Sequence, residues 1–253
     1  RPPRSTLFPY TTLFRSGMIN RARALDITGN NIANAQTPGY KQESLVTKTF
    51  GEYITYRISD KGKTEIGTTT HGCAADSVYT DTSRGQIVKT GRSLDLVIEG
   101  NGFFRIAYEN GNTGLTRNGS FHVDQQGYLT TSAGAYVMGT NGRINLGTAE
   151  SVIVGENGAV SVGGRFVDTL EIITPADPAT LEKQAEGIFS DTGGNTGEAA
   201  RVLQGSLELS NVDLTQEMMA MIEESRAFQT CGQVMKILDS INQKTVNEIG
   251  LVR

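Results

Sequence analysis

The chain of 253 residues has no tryptophan, two histidines, two cysteines and six prolines. Each scarcity removes a class of chemistry. His71 and His122 are the whole imidazole supply, and neither has a partner at ligand spacing, so no metal centre and no histidine-based triad can be drawn. His122 sits in a strand pattern between Phe121 and Val123 and is expected to face solvent. Cys73 and Cys231 lie far apart and read as unrelated thiols rather than a disulfide framework. Basic residues are not in excess: 23 Lys and Arg stand against 27 Asp and Glu, for a net charge of -4. Neither the footprint of a nucleic-acid binder nor a polybasic membrane helix is there. No apolar run reaches the roughly 18 residues that a bilayer-spanning helix needs.

Glycine, by contrast, is abundant at 30 residues. Glycine-rich sequence with alternating apolar residues predicts short strands joined by tight turns. The opening stretch, residues 1–17, is different again: its first sixteen residues, RPPRSTLFPYTTLFRS, are rich in Arg, Ser and Thr, lack acids and show no period. Its composition suits an organellar transit peptide, but the string resembles translated sequencing-adapter DNA more closely, and it is set aside as non-native or unstructured.

Residues 18–42 are predicted to form a helix and a turn. Met18, Ala22, Leu25, Gly29 and Ile32 are spaced by four and three, the seam by which one helix packs on another. Pro38 and Gly39 end it, in the order that suits the two central positions of a type II turn. Residues 210–250 form a longer helix, with Asp213 as N-cap and Gln216 at capping-box spacing. Leu214, Met218, Met221, Phe228, Met235 and Leu238 follow the same rhythm, and Gly250 is a plausible stop. About 37 helical residues at 1.5 Å each make a rod of roughly 55 Å, long enough to suggest a coiled coil. Two helices at opposite ends of a chain, each marginal alone, are expected to pair with each other and with copies of themselves.

Residues 43–209 read as β. SLDLVIEG places Leu94, Leu96 and Ile98 on one face, and Gly100-Asn101-Gly102 reads as a tight turn before GFFRIAY. SFHVDQQGYLTT predicts a hairpin about Gly127, and SVIVGENGAVSV another about Asn157-Gly158. Residues 175–178 and 191–200 read as loops. The fold class is therefore α+β: terminal helices pairing as a coiled coil, with a central all-β domain of short antiparallel strands. Asp95 and Glu99, four apart, could be drawn as a glycosidase-like carboxylate pair, but a solvated strand face is the plain account of them. Nothing else suggests catalysis or a cofactor.

The stretch NNIANAQTPGYK raises its own question, because asparagine is a poor helix former and Asn30, Asn31 and Asn34 close a helix. This stretch resembles the N-terminal signature of bacterial flagellar rod and hook proteins, matching at Asn31, Ile32, Ala33, Asn34, Thr37, Gly39, Tyr40 and Lys41. GRSLDLVIEGNGFFRI and TRNGSFHVDQQGYLTT resemble that family's central motifs, and LQGSLELSNVDLTQEMMAMIEESRAFQT, with Asn211, its C-terminal signature. The matches occur in the family's order. The resemblance implies a basal-body rod subunit with no active site. Such a subunit is exported by the flagellar type III apparatus, polymerises with itself and abuts neighbouring rod and hook subunits. It also implies that the three asparagines hydrogen-bond across contacts in a crowded tube. A secreted β-rich adhesin and a small glycan hydrolase are the alternatives.

Overall fold

The computed structural model describes residues 7–49, 53–59, 62–69, 73–147, 151–175, 181, 183–185, 187–190 and 200–250. The chain forms two compact units. The first takes Arg1–Ile32, Glu43–Tyr79 and Leu214–Arg253; the second takes Ala33–Gln42 and Thr80–Asp213. The predicted loops at 176–178 and 191–199, and His71, fall outside the described residues.

The first unit holds helices α1 (Leu7–Ala33) and α2 (Leu214–Gly250) with strands β1 (Glu43–Thr49), β2 (Tyr53–Ser59), β3 (Gly62–Thr69) and β4 (Cys73–Thr80). Strand β1 pairs with β4, and β2 with β3 from Tyr53↔Thr69 to Ser59↔Gly62. Helix α1 begins well ahead of Met18, inside the stretch that the sequence set aside. Pro9 is tolerated there because it lies in the first turn, where its missing N–H would have no partner. Helix α2 follows Asp213 directly and runs for 37 residues. Arg21 of α1 donates two hydrogen bonds to the Glu224 carboxylate of α2, at 2.7 and 2.8 Å. A Cβ built on Gly29 would lie 3.7 Å from Cε of Met221. The later residue of α1 thus meets the earlier residue of α2, so the two contacts run antiparallel.

The second unit is built from β5 (Ile87–Lys89), β6 (Leu96–Glu99), β7 (Phe103–Ala107), β8 (Thr113–Thr116), β9 (Phe121–Val123), β10 (Leu129–Thr131), β11 (Tyr136–Gly139), β12 (Gly142–Arg143), β13 (Val152–Val154), β14 (Ala159–Val162), β15 (Arg165–Thr169), β16 (Ile172–Ile173), β17 (Lys183–Ala185), β18 (Ile188–Ser190), β19 (Arg201–Gln204) and β20 (Ser206–Glu208). The main sheet has the order β17-β18-β8-β7-β11-β10-β9, with β12 on β11 and β16 on β7; β13-β14-β15 form a second sheet. The expected hairpins appear, β9 with β10 about Gly127 and β13 with β14 about Gly158, both glycines at positive φ.

Two expectations fail here. Gly100-Asn101-Gly102 is not a hairpin turn: β6 pairs with the distant β19, and the tripeptide carries the chain from one sheet to another. Nor is the SLDLVIEG strand half exposed, since Leu96, Val97 and Ile98 are all buried. Its neighbour β7 also buries both faces. Phe104 meets Phe121 edge-on at 5.1 Å in one cluster, while Phe103 meets Phe189 at 5.5 Å in another. Such aromatic pairs dominate core energetics.

Candidate functional site

Both segments that adjoin the helices belong to the second unit. Residues 34–42 follow α1, and β20 leads through Asn211 into α2. They meet at Glu208. Its backbone carbonyl accepts the Gly39 N–H at 2.8 Å. Its carboxylate takes Lys41 Nζ at 2.6 Å and the Gly85 N–H at 3.0 Å, with Arg117 Nε at 3.4 Å. Lys41 also donates to the Ser83 carbonyl at 2.7 Å, and the Arg117 guanidinium to the carbonyls of Gly100 and Gly102. The side chains of Lys41 and Glu208 are 1% and 3% exposed. Ions this deep persist only when their charges are matched; here Glu208 faces both cations, although Arg117 Nε makes an ion pair with it and no hydrogen bond. Burial pushes the Lys41 ammonium below its ordinary range, against the upward pull of Glu208, and burial likewise lowers Arg117.

The chain is tight about this cluster. Thr37 to Tyr40 close the expected type II turn, with the Tyr40 N–H on the Thr37 carbonyl at 3.3 Å and Gly39 at φ 70°. A Cβ at Gly39 would strike the backbone of Arg117 and Asn118. Tyr40 is fully buried, with Lys183 Nζ 4.5 Å from its ring centroid. Asn211 completes the tie. Its Oδ1 accepts the Gln42 N–H at 2.8 Å, and its Nδ2 donates to the Asp81 carbonyl at 3.0 Å.

The asparagines at the end of α1 have a different account from the expected one. Asn31 and Asn34 are buried within the chain, and their amides serve it. Asn31 donates to the Glu43 carbonyl at 2.8 Å and accepts the Glu43 N–H at 3.0 Å, so its side chain imitates a neighbouring strand at the start of β1. Asn34 Oδ1 accepts the Thr37 hydroxyl at 3.1 Å and so braces the turn. These contacts need no neighbouring molecule.

The helix residues predicted for packing divide into two groups. Leu25, Ile32, Met221, Met235 and Leu238 are half-buried, whereas Leu214, Met218 and Phe228 are exposed. On α2 the less exposed stripe runs through Glu217, Met221, Glu224, Cys231, Met235 and Leu238. Leu214, Met218 and Ile222, at 43%, 53% and 52% exposure, form a separate stripe about 120° away around the helix. Between the helices and β1, within the first unit, lies a cleft of about 440 Å³ lined by Phe14, Asn20, Ala24, Glu224 and Cys231 among others.

Asp95 and Glu99 do not form a carboxylate pair. Asp95 is buried and accepts the Thr90 hydroxyl at 2.6 Å, while Glu99 lies near Arg201 at 3.7 Å. His122 is exposed, and no group of three potential ligands for a metal occurs among the described residues. Sequence reasoning missed Glu208 and Arg117. The available signal was their opposite charges inside strand-like runs, LELS and LTRN, that each end in a family-like motif.

Comparison with known proteins gives a consistent picture. Residues 15–41 match a family model described as flagella basal body rod protein. Residues 97–162 match the flagellar hook protein FlgE/F/G D1 domain, and residues 203–248 the C-terminal model of flagellar basal body rod FlgEFG proteins. Flagellar basal-body rod protein FlgG of Bacillus subtilis is 35% identical, over 92% of this chain and 96% of its own length. FlgF of Caulobacter vibrioides, also a flagellar basal-body rod protein, is 32% identical, over 91% and 93%. The flagellar hook-basal body complex protein FlhO of B. subtilis is 27% identical, over 94% and 97%.

Proposed function

The chain belongs to the flagellar basal-body rod protein family, and we propose that it polymerises with copies of itself into the shaft that carries torque to the hook. It is a structural subunit of the flagellar basal body, not an enzyme, and it assembles with neighbouring flagellar subunits. No helix among its described residues is long and apolar enough to cross a membrane. The flagellar type III apparatus delivers it, and α1 and α2 then pair as an antiparallel coiled coil whose outer faces meet those of other copies. A surface that joins a different surface of the next copy without closing generates a helical filament.

One observation carries this reading. Helix α2 offers two apolar stripes, and a single partner helix can cover only one of them. The stripe of Leu214, Met218 and Ile222 stays in water in the isolated chain. Replacing Met218 and Ile222 together by Asp should leave the monomer folded and abolish motility in a cell that lacks the native protein. Full motility in that variant would remove the stripe from the interface.

A further inference from the structure

Asn-Gly dipeptides occur at five places in the sequence, where Asn101, Asn110, Asn118, Asn141 and Asn157 each precede a glycine. All five lie in the second unit. The dipeptide is a favoured turn sequence, because glycine accepts the backbone angles that tight turns require. It is also chemically labile, asparagine being among the thermolabile side chains. A glycine has no side chain to shield its backbone nitrogen, which can reach the side-chain carbonyl carbon of the asparagine before it. That attack needs both ends loose: an asparagine amide free to swing and a glycine N–H that is not engaged.

Four of the five sites are held. The Gly111 N–H donates to the Tyr108 carbonyl at 3.1 Å, and the Gly158 N–H to the Gly155 carbonyl at 2.9 Å. At both, the asparagine oxygen also accepts the N–H two residues on, from Asn112 at 3.0 Å and from Ala159 at 3.1 Å. Such turns pin the side chain against its own backbone. Asn118 makes the same turn with the Ser120 N–H at 2.9 Å, and Gly119 is wedged against the Leu96 carbonyl. Asn141 donates from Nδ2 to the Asp168 carboxylate at 3.0 Å.

Asn101 is different. It is exposed, and neither its side chain nor the Gly102 N–H makes a hydrogen bond among the described residues. The tripeptide Gly100-Asn101-Gly102 is held instead by two carbonyls, those of Gly100 and Gly102, which both accept the Arg117 guanidinium. The asparagine between them keeps its amide loose.

We propose that Asn101 is a self-modification site, at which the chain converts asparagine to isoaspartate or aspartate with water as the only co-reactant. The Gly102 nitrogen bonds to Cγ of Asn101. Its proton passes to the side-chain nitrogen, which leaves as ammonia, and a succinimide ring remains. Water then opens the ring. Addition at Cγ gives aspartate. Addition at the main-chain carbonyl carbon gives isoaspartate, in which the backbone runs through the former side chain. Either product carries one more negative charge. Isoaspartate alone adds a methylene to the main chain between the two carbonyls that hold Arg117, and Arg117 is one of the cations facing Glu208. The modification is independent of the assembly reading above.

The intact wild-type chain tests this. It is aged in mildly alkaline buffer, digested, and mapped by mass spectrometry with electron-transfer fragmentation, which tells isoaspartate from aspartate. The same map of the chain unfolded in urea gives the intrinsic rate of each dipeptide. Folding should slow each of the four held sites roughly two- to tenfold, the factor for one hydrogen bond that must open first. Asn101 should be slowed least and should react first. Another site reacting first, a native order no different from the unfolded one, or no reaction at Asn101 while the unfolded chain reacts there, each overturns the proposal. The purified isoaspartate form should also exchange its amides faster at the start of β7 than Asn101→Asp, which has the charge without the methylene. Equal exchange in the two would refute the loosening of the Arg117 cradle.

Discussion

Strand β7 and helix α2 treat apolar residues in opposite ways. On β7, Phe103, Phe104, Ile106 and Ala107 are all buried, on both faces of the strand. On α2, Leu214, Met218, Met219, Ile222, Phe228, Ile237 and Ile241 are all exposed. Fully burying one such side chain is worth about 1.5–3 kcal/mol. The second unit has already gained that from its own chain, whereas the helix has left it unused. The contrast teaches where self-sufficiency ends in this molecule. The core around β7 is filled from one copy, whereas the long helix keeps an apolar stripe in water.

Several experiments press on that contrast. The largest effect should come from Phe104→Ala, which opens a cavity where the ring meets Phe121. It should cost the second unit about 3–5 kcal/mol, read as a lowered unfolding midpoint. An equal loss of stability from Phe228→Ala would erase the distinction, because Phe228 already faces water. Asn31→Ala comes next. It strips both partners from the Glu43 backbone and should cost about 1–3 kcal/mol, with amide exchange at the start of β1 accelerating first.

Lys41 gives a pH test. Burial lowers its folded pKa below the ordinary 10.5, so the unfolded chain holds the proton more firmly, and stability rises with pH across that window. Wild type should therefore gain on Lys41→Met as pH climbs toward 10.5, by at most about 1.4 kcal/mol per pH unit. A flat difference would show that the lysine does not titrate as a buried group. Arg21→Ala should do least, about 0–1 kcal/mol, because its bond to Glu224 is solvated. Amide exchange of a proven monomer sharpens the contrast without mutation. Met221 to Ile241 should exchange far faster than β7, and strong protection there would mean that the helix needs no partner.

What could be read from the sequence was local. The Pro38-Gly39 turn, the hairpins at Gly127 and Gly158 and the start of α2 after Asp213 each depend on a few adjacent residues. What could not be read was long-range. The pairing of β6 with β19 joins segments roughly a hundred positions apart, so no turn signal marks it. Glu208 was hidden by its own phase. In LELS, alternation suggests that Leu207 and Leu209 point inward, yet Glu208 is the buried residue and the leucines are only half-buried. Period-two patterning assumes that the core is apolar, and an ionic core inverts the signal. The heptad on α2 was visible too, but it cannot say which of two overlapping stripes an intramolecular partner takes. The asparagines were noticed as odd, and only the Glu43 backbone beside Asn31 explains why an amide is needed.

The joint service of Glu208 to both chain ends has an evolutionary corollary. Its carbonyl receives Gly39, its carboxylate receives Lys41, and its own backbone continues toward α2. Drift at one extremity cannot proceed without the other. Across descendants of this sequence, positions 41 and 208 should be lost or exchanged as a couple, and domain shuffling that splits them between two parents should yield sterile chimeras.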